Sequence, residues 1–437
     1  MLSVTIALLI RFKRPGLLRK QKVRSLAFSR ENRQFSYTSC RARAAIHYTL
    51  QELAGDGHCG YPESGVLGRT TNLIQVEEQI VEQAILSALK DRSVVRELVD
   101  GEPWLYLASL HRAEVGLAQS VRRLKQSPHP LPRIDVEKAI GWAEQRLGIE
   151  LAAGQQEAIR QACEHKRLVI TGGPGVGKTT LVRSILEIFS TKQMKCVLAA
   201  PTGRATKRLA ETTQRSAKTV HRLLEFDPTT GEFKRNQQRP LTGDLFVMDE
   251  TSMVDVVLGH QFLRAVPTES CVILVGDVDQ LPSVLADLIA SGTVPVVRLT
   301  EIFRQASQSQ IVTAGYAINN GRMPNLTVPE GLTEFYFVEC DEPEAIQDML
   351  VRLVKERIPA RFEFDPKSDI QVLTPMNRSL LDARNLNQVM QAAMNPGDNG
   401  PEIQRFGWTF RIGDRVIQTE TTMTGTCSMA NSAWSKQ

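Results

Sequence analysis

The segment GGPGVGKT, residues 172–179, constrains the fold of this chain more than any other stretch. It follows the apolar run RLVIT and precedes the helical pattern TTLVRSILEIF, so it matches GxxxxGK[ST] in a strand–loop–helix context. Glycines let backbone amides wrap phosphates, and the positive end of the following helix adds attraction. The segment therefore predicts a P-loop nucleotide site, with a fortuitous glycine loop as the alternative.

This loop supplies most of the predicted nucleotide contacts. Lys178 is expected to reach the β- and γ-phosphates of ATP, and Thr179 is expected to hold Mg²⁺. Gln155, in the upstream stretch LAAGQQEAI, is expected to hydrogen-bond the adenine edge. The other predicted nucleotide-binding residues are Gly172, Gly173, Pro174, Gly175, Val176, Gly177 and Thr180.

A second apolar run, LFVMDE at residues 245–250, ends in two carboxylates. We predict that Asp249 completes the Mg²⁺ shell and that Glu250 orients or deprotonates the attacking water. An acidic strand end facing solvent is the alternative. A glutamate at this position favours hydrolysis over simple nucleotide binding, and it argues against a metabolite kinase.

A third run, VILVGDVDQ, predicts a strand whose end lies beside the acid-bearing strand, because the carboxyl ends of parallel strands line the ligand crevice. Gln280 is then placed to sense the γ-phosphate and relay its loss, with a turn or capping role as the alternative. Arg304, in LTEIFRQ, is predicted to act as an arginine finger. A surface salt-bridge arginine is the alternative there. The predicted catalytic residues are Lys178, Glu250, Gln280 and Arg304.

Two further stretches indicate contacts with nucleic acid. APTGRATKRLA places Thr202, Arg204 and Lys207 at a strand end and on a first helical turn, a combination that binds a phosphate backbone. A solvated basic helix face is the alternative. TVHRLLEFDPTTGEFKRN predicts a hairpin that would contact or split duplex, and His221 is expected to pack there.

Charge and hydropathy add broader expectations for the 437-residue chain. Residues 1–45 hold eleven Lys and Arg against one acidic residue, whereas the remainder carries a net −5. That basic segment would grip nucleic acid, target an organelle, or be an ill-defined terminus. The seven cysteines include no CxxC pair. Because no apolar run reaches the roughly 18 residues of a membrane span, we expect a cytoplasmic protein without membrane contact.

The order of these motifs, followed by VLTPMNR and GDRVIQT, resembles the RecD-like DNA helicases, superfamily 1 motors related to the α subunit of exodeoxyribonuclease V. The resemblance runs from about residue 44 to 419. It implies an α/β fold of RecA-like P-loop domains, with ATP-driven 5′→3′ translocation on single-stranded DNA and duplex unwinding. It assigns Thr202 and Arg204 to DNA, Gln155 to adenine, and the pin-bearing insertion to about 222–243.

The predicted domains follow from this pattern. They are a poorly defined basic segment (1–43), a helical domain (44–147) that ends after a proline-rich linker, a first motor domain (148–299), and an incomplete second one (300–437). The sequence departs from the family after LPSV and in IVTAGYAIN. Later family motifs do not follow GDRVIQT, so we expect a truncated motor with weak hydrolysis and little unwinding. We hypothesise a frameshift in the tail 420–437, which the coding DNA would test.

Two functional hypotheses follow. The first is an ATP-dependent DNA helicase acting at single strands and duplex junctions. The second is a nucleotide-binding, DNA-binding subunit of a recombination or repair nuclease complex that unwinds nothing by itself, whose partners would be nuclease or helicase subunits. A relaxase-linked helicase is disfavoured, because no N-terminal histidine cluster is present.

Overall fold

A computed structural model describes residues 7–9, 31–280, 284–301, 309–327, 333–375, 379–397, 400–405, 407–416 and 433–434, with side chains described between Cys40 and Val416. Arg304, the segment 281–283 and most of the tail 420–437 lie outside the described residues. Contacts divide the chain into two compact units. One comprises residues 22–312, and the other comprises residues 1–21 and 313–437.

The described strands are β1 (Ala7–Leu9), β2 (Gly60–Pro62), β3 (Val94–Val99), β4 (Glu102–Leu107), β5 (Arg167–Gly172), β6 (Cys196–Ala200), β7 (Ala217–Thr219), β8 (Phe226–Asp227), β9 (Glu232–Phe233), β10 (Leu245–Met248), β11 (Cys271–Gly276), β12 (Val296–Leu299), β13 (Phe335–Phe337), β14 (Glu402–Arg405), β15 (Trp408–Arg411), β16 (Arg415–Val416) and β17 (Ala433–Trp434).

The described α-helices are α1 (Glu31–Gly55), α2 (Glu63–Ile74), α3 (Glu78–Lys90), α4 (Ala108–Arg123), α5 (Val136–Leu147), α6 (Ala153–Glu164), α7 (Lys178–Thr191), α8 (Gly203–Thr213), α9 (Val220–Leu223), α10 (Val256–Ala265), α11 (Val284–Ala290), α12 (Gln310–Asn319), α13 (Pro343–Arg352), α14 (Ile358–Phe362) and α15 (Ala383–Met394). A 3₁₀ turn (Thr251–Met253) follows β10, and a π-helical turn (Leu353–Arg357) follows α13.

The larger unit is built on a six-stranded sheet in the order β12-β5-β11-β10-β6-β7, and every neighbouring pair is parallel. Five apolar runs of the sequence, RLVIT, CVLAA, DLFVMDE, CVILVGD and VVRLT, predict strands, and all five form, as β5, β6, β10, β11 and β12. Strands buried on both faces need continuous apolar sequence, which these runs provide. Leu168 and Ile170 pack into one core cluster, whereas Val169 packs into the other.

Helices cover both faces of this sheet. Side chains from α5, α6 and α7 join one cluster, and side chains from α4, α10 and α11 join the other. Helices on both faces of a parallel sheet define the α/β class. The predicted α/β P-loop fold is therefore confirmed.

The first part of the chain contains three strands that the helical interpretation missed. β2, β4 and β3 form an antiparallel sheet beside α1 to α4. The sequence patterns AAIHYTLQELA, EEQIVEQAILSAL and HRAEVGLAQSVRRL predict helices, and these are confirmed in α1, α3 and α4. The β3–β4 turn places Asp100 at φ 53° and Gly101 at φ 84°. An Asp-Gly pair between apolar runs is a strong hairpin signal, so the sequence did carry this information.

Helix α4 and the proline-rich stretch after it pack directly on the larger unit's six-stranded sheet and its helices. Arg123 donates hydrogen bonds to the carbonyl oxygens of Leu263 (2.8 Å) and Val266 (2.9 Å), which end α10. Leu131, within the predicted linker, is 7% exposed and belongs to the sheet core. The compact core therefore extends further toward the N-terminus than the predicted boundary at 147.

The smaller unit has its own cluster of buried side chains, contributed by α13, the π-helical turn and α15. The pattern SLLDARNLNQVMQAAM (379–394) predicts a helix, which is confirmed as α15, whereas the apolar run DIQVLTP (369–375) predicts a strand that does not form. Ile370 and Val372 pack against that cluster, but no described strand pairs with them. Across the described residues, no helix is both long and apolar enough to span a membrane.

Candidate nucleotide and nucleic-acid site

The P-loop connects β5 to α7 as the sequence predicts. Gly175 and Gly177 have φ values of 81° and 74°, in the left-handed region that favours glycine. Lys178 begins α7 and its Nζ donates to the carbonyl oxygens of Gly172 and Gly173, the latter at 2.9 Å. The ammonium therefore bonds to the loop itself, at the two carbonyl oxygens where the loop begins.

Lys178 is half-buried, and three carboxylates act on its charge. Burial lowers its pKa, and the carboxylates of Asp277, Glu250 and Asp249 oppose that shift, Asp277 most strongly. A cation among three carboxylates indicates a site prepared for a polyanion accompanied by a metal ion.

The two predicted carboxylates follow β10 directly. The backbone N–H of Asp249 donates to the carbonyl oxygen of Ala199 at 2.9 Å, which anchors this end to β6. Burial raises the pKa of Asp249, the N–H of Glu250 lowers it and the charge of Glu250 raises it. Glu250 has φ 53° and ψ 39°, and a non-glycine residue in this conformation is a recognised feature of functional sites.

The loop after β11 lies between the other two motifs, because β11 pairs with β5 on one side and β10 on the other. This confirms the predicted position of the strand bearing Gln280 beside the acid-bearing strand. Gln280 is exposed, and its Nε2 donates to Oδ2 of Asp277 at 3.2 Å. The N–H of Val278 donates to Oγ1 of Thr171 at 3.1 Å, so this loop is joined to the strand that enters the P-loop.

Gln155 lies beneath the P-loop and is 1% exposed. Its Nε2 donates to the carbonyl oxygen of Gly177 at 3.2 Å, and its Oε1 accepts from the N–H of Ala152 at 3.1 Å. Both ends of the carboxamide thus bond to the protein in this conformation. This arrangement favours a bracing role for Gln155, while the adenine contact stays a prediction.

The predicted DNA contacts begin one strand away from Asp249. Thr202 caps α8, where its Oγ1 accepts from the N–H of Ala205 at 3.2 Å. Arg204 and Lys207 are exposed, and Nζ of Lys207 lies 3.9 Å from Oε1 of Glu211. Arg208, which sequence reasoning did not select, acts electrostatically on both Lys178 and Asp249. Its spacing of four residues from Arg204 places both on one helical face.

The predicted hairpin forms as β8 and β9, with Phe226 opposite Phe233. The ring centroids of these two residues are 5.0 Å apart, and His221 packs against both at 5.7 and 5.6 Å. The prediction that His221 packs is confirmed. Arg304 lies outside the described residues, so its role as an arginine finger stays a prediction.

The described residues fit a nucleoside triphosphate with Mg²⁺. The left-handed glycines keep side chains out of the loop, and the half-buried carboxylate of Asp249 has no ion pair within the described part of the chain. Mg²⁺ in such sites needs only one or two protein ligands besides phosphate and water. Thr179 and Asp249 would supply them.

Comparisons with known proteins agree with this site. A family profile described as an AAA domain matches residues 155–286. The ATP-dependent RecD2 DNA helicase of Deinococcus radiodurans is 34% identical over 396 residues, which cover 87% of this chain and 52% of that protein. The RecBCD enzyme subunit RecD of Mycobacterium tuberculosis is 35% identical over 215 residues, or 42% of this chain and 36% of that one.

Two more distant similarities were found. The ATP-dependent DNA helicase dda of Enterobacteria phage T4 is 29% identical over 192 residues, which cover 40% of this chain and 43% of that protein. The crystal structure of Pif1 helicase from Candida albicans shares 24% identity over 42% of this chain and 50% of that chain, with a TM-score of 0.32. Because that score is low, the fold assignment rests on the sheet and the P-loop.

The parallel sheet, the P-loop and the paired carboxylates define a P-loop nucleoside triphosphatase. By sequence, the chain is similar to the RecD-like helicases, and it spans about half the length of the RecD2 helicase that it matches.

Proposed function

We propose that this protein is an ATP-dependent DNA helicase of RecD-like type, which moves 5′→3′ on single-stranded DNA and unwinds duplex. One observation carries the proposal. Three adjacent parallel strands, β5, β11 and β10, lead at the same edge of the sheet into the P-loop, the Gln280 loop and the Asp249–Glu250 pair. Such an arrangement serves hydrolysis of a triphosphate whose γ-phosphate is sensed by a neighbouring surface. The names of the relatives supply the link to DNA.

The chain's own residues divide the work. Lys178 turns from the loop carbonyls to the phosphates, and the amides at the start of α7 bind phosphate oxygens. Glu250 orients the attacking water or accepts its proton. Thr179 and Asp249 would hold Mg²⁺, which would supply positive charge to neutralise the phosphates. Gln280 responds to the terminal phosphate, and Arg304 is proposed to stabilise charge in the transition state.

DNA would contact the surface formed by α8 and the β8–β9 hairpin. Thr202, Arg204 and Lys207 offer a hydroxyl and two cations to the phosphate backbone without reading bases. The hairpin tip, residues 228–231, is exposed, and Phe226 packs against Phe233 at its base, so we propose this hairpin as the element that separates strands.

A strand-displacement assay with two duplexes tests this proposal. One duplex carries a 5′ single-stranded tail and the other an otherwise identical 3′ tail. We expect weak ATP-dependent unwinding, confined to the 5′-tailed duplex and lost in Glu250→Gln. Unwinding of only the 3′-tailed duplex would overturn the polarity, and equal unwinding by Glu250→Gln would overturn the assigned chemistry.

A second candidate is a nucleotide-dependent DNA-binding subunit of a nuclease complex. Several relatives carry the name RecBCD enzyme subunit RecD, which favours this class. ATP-dependent binding to single-stranded DNA, with unwinding only after nuclease-type subunits are added, would support it.

A further inference from the structure

Asp277, directly after β11, is a buried carboxylate that the proposed chemistry does not use. It is 4% exposed, and no ion pair to it is recorded among the described residues. Its Oδ1 accepts from the N–H of Asp279 and its Oδ2 from Nε2 of Gln280, both at 3.2 Å. Burying a carboxylate without a paired cation is costly, so this one needs an explanation.

The backbone on which Asp277 lies is firmly held. A Cβ on Gly276 would lie 2.8 Å from Cδ2 of Leu285 and 3.0 Å from the backbone nitrogen of Ser252. The hydrogen bond from Val278 to Thr171 fixes the next residue. The base of this loop therefore has little freedom to shift.

The side chain of Gln280, unlike the closely packed base of the loop, is open to solvent. In the described part of the chain, its carboxamide bonds to Asp277. An exposed carboxamide in this loop is therefore held through its N–H donor by a buried carboxylate.

The charge of Asp277 also reaches the phosphate site. Of the neighbouring carboxylates, Asp277 acts most strongly on the ammonium of Lys178. A phosphate bound at Lys178 would therefore repel the carboxylate of Asp277, because both groups are anions in a half-buried site.

We propose that Asp277 is a latch for Gln280, holding its carboxamide until the terminal phosphate of a bound triphosphate competes for the same N–H donor. The inference rests on the proposed function, because it assumes that Gln280 answers to that phosphate. Asp277 is a positioning residue, since it acts through Gln280 rather than on the nucleotide. Under this proposal a diphosphate, which lacks the terminal phosphate, leaves the hydrogen bond between Asp277 and Gln280 in place.

Asp277→Asn tests the latch with almost no change in shape. Asparagine keeps one acceptor oxygen for the N–H of Asp279, but its other end is a donor that cannot accept from Gln280. Charged hydrogen bonds are roughly twice as strong as neutral ones, so we expect preference for a triphosphate over a diphosphate to rise about 5-fold. The readout is the ratio of Kd values for fluorescent ADP and a fluorescent non-hydrolysable ATP analogue.

A double-mutant cycle separates the latch from simple loss of charge. The exposed control Asp279→Asn measures how far loss of a negative charge alone changes the ratio of the two Kd values. In a Gln280→Ala background, Asp277→Asn should change that ratio no more than this control does. An equal change in both backgrounds would overturn the latch. If Lys178→Ala binds both nucleotides as the native protein does, the proposed nucleotide site itself is wrong, and the latch falls with it.

A measurement on the native chain covers the case in which Asp277→Asn does not fold. With ¹⁵N-labelled glutamine, the side-chain signal of Gln280 is identified by its loss in Gln280→Ala. We expect the triphosphate analogue to shift this signal and ADP to leave it in place. Equal shifts with both nucleotides, or with neither, would contradict the latch.

Discussion

Nε2 of Gln155 donates to the carbonyl oxygen of Gly177 at 3.2 Å, so a fully buried glutamine supports the P-loop from below. Oε1 of the same side chain accepts from the N–H of Ala152, which completes the bonding of the carboxamide along the start of α6. The loop that wraps phosphates is therefore tied to the helix that precedes its strand.

The first prediction concerns this brace. Gln155→Ala leaves buried polar groups unpaired, and we expect it to lower the free energy of unfolding by about 1–3 kcal/mol. Because the loop serves every nucleotide, affinity for ATP and GTP should fall by a similar factor, as measured by titration calorimetry. The half-buried neighbour Gln156→Ala is the control. Weakened ATP binding with unchanged GTP binding would instead establish the adenine contact.

The second prediction compares two helical glycines. A Cβ on Gly116 of α4 would lie 2.2 Å from Cε1 of His260 on α10, whereas a Cβ on Gly141 of α5 would meet no heavy atom within 4 Å. Gly116→Ala should therefore lower the free energy of unfolding by about 1–3 kcal/mol. Gly141→Ala should raise it by about 0.5–1 kcal/mol, because alanine favours the helix.

Urea denaturation measures both changes. In a His260→Ala background the loss from Gly116→Ala should shrink, because the group that the new methyl meets is gone. Equal effects of the two glycine substitutions would contradict close packing of α4 on α10.

The third prediction is a pH dependence of stability through His129. Its Nδ1 accepts from the N–H of Leu131 at 3.0 Å, and its Nε2 lies 3.1 Å from the carbonyl oxygen of Ala162. Burial lowers the pKa of His129. As pH falls below about 6.5, the unfolded chain binds a proton that the folded chain resists, so the free energy of unfolding decreases.

His129→Gln should flatten this decrease between about pH 6.5 and 5, as measured by urea denaturation at each pH. Some slope will remain, since burial also lowers the pKa of His260. The exposed His58→Gln is the control. An identical slope in His129→Gln and the native protein would show that His129 does not titrate as the structure implies.

Much of the larger unit was predictable because its strands are apolar runs and its P-loop has a specific spacing. The rule for strand ends in parallel sheets predicts that the motifs meet at one edge of the sheet, and the observed order β5-β11-β10 brings the Gln280 loop between the P-loop and Asp249. Patterns of residue types do not reveal side-chain partners, however. The bonds of Asp277 and Gln155 could be found only once the strands and helices had been assembled.

The remaining differences have physical causes. The β3–β4 hairpin was missed because helical periodicity on either side outweighed its Asp-Gly turn. DIQVLTP has the composition of a strand, but a strand also needs a neighbour, and no described strand pairs with it. Leu131 is buried although it lies between prolines, because its side chain packs into one of the two core clusters of the six-stranded sheet.

The most direct test of the central claim is ATP hydrolysis by the purified chain, with and without single-stranded DNA, beside Lys178→Ala. We predict slow turnover that DNA raises at least several-fold, and we predict that Lys178→Ala abolishes both rates. Turnover that DNA leaves unchanged, or that survives in Lys178→Ala, would contradict a motor in which this P-loop drives movement on DNA.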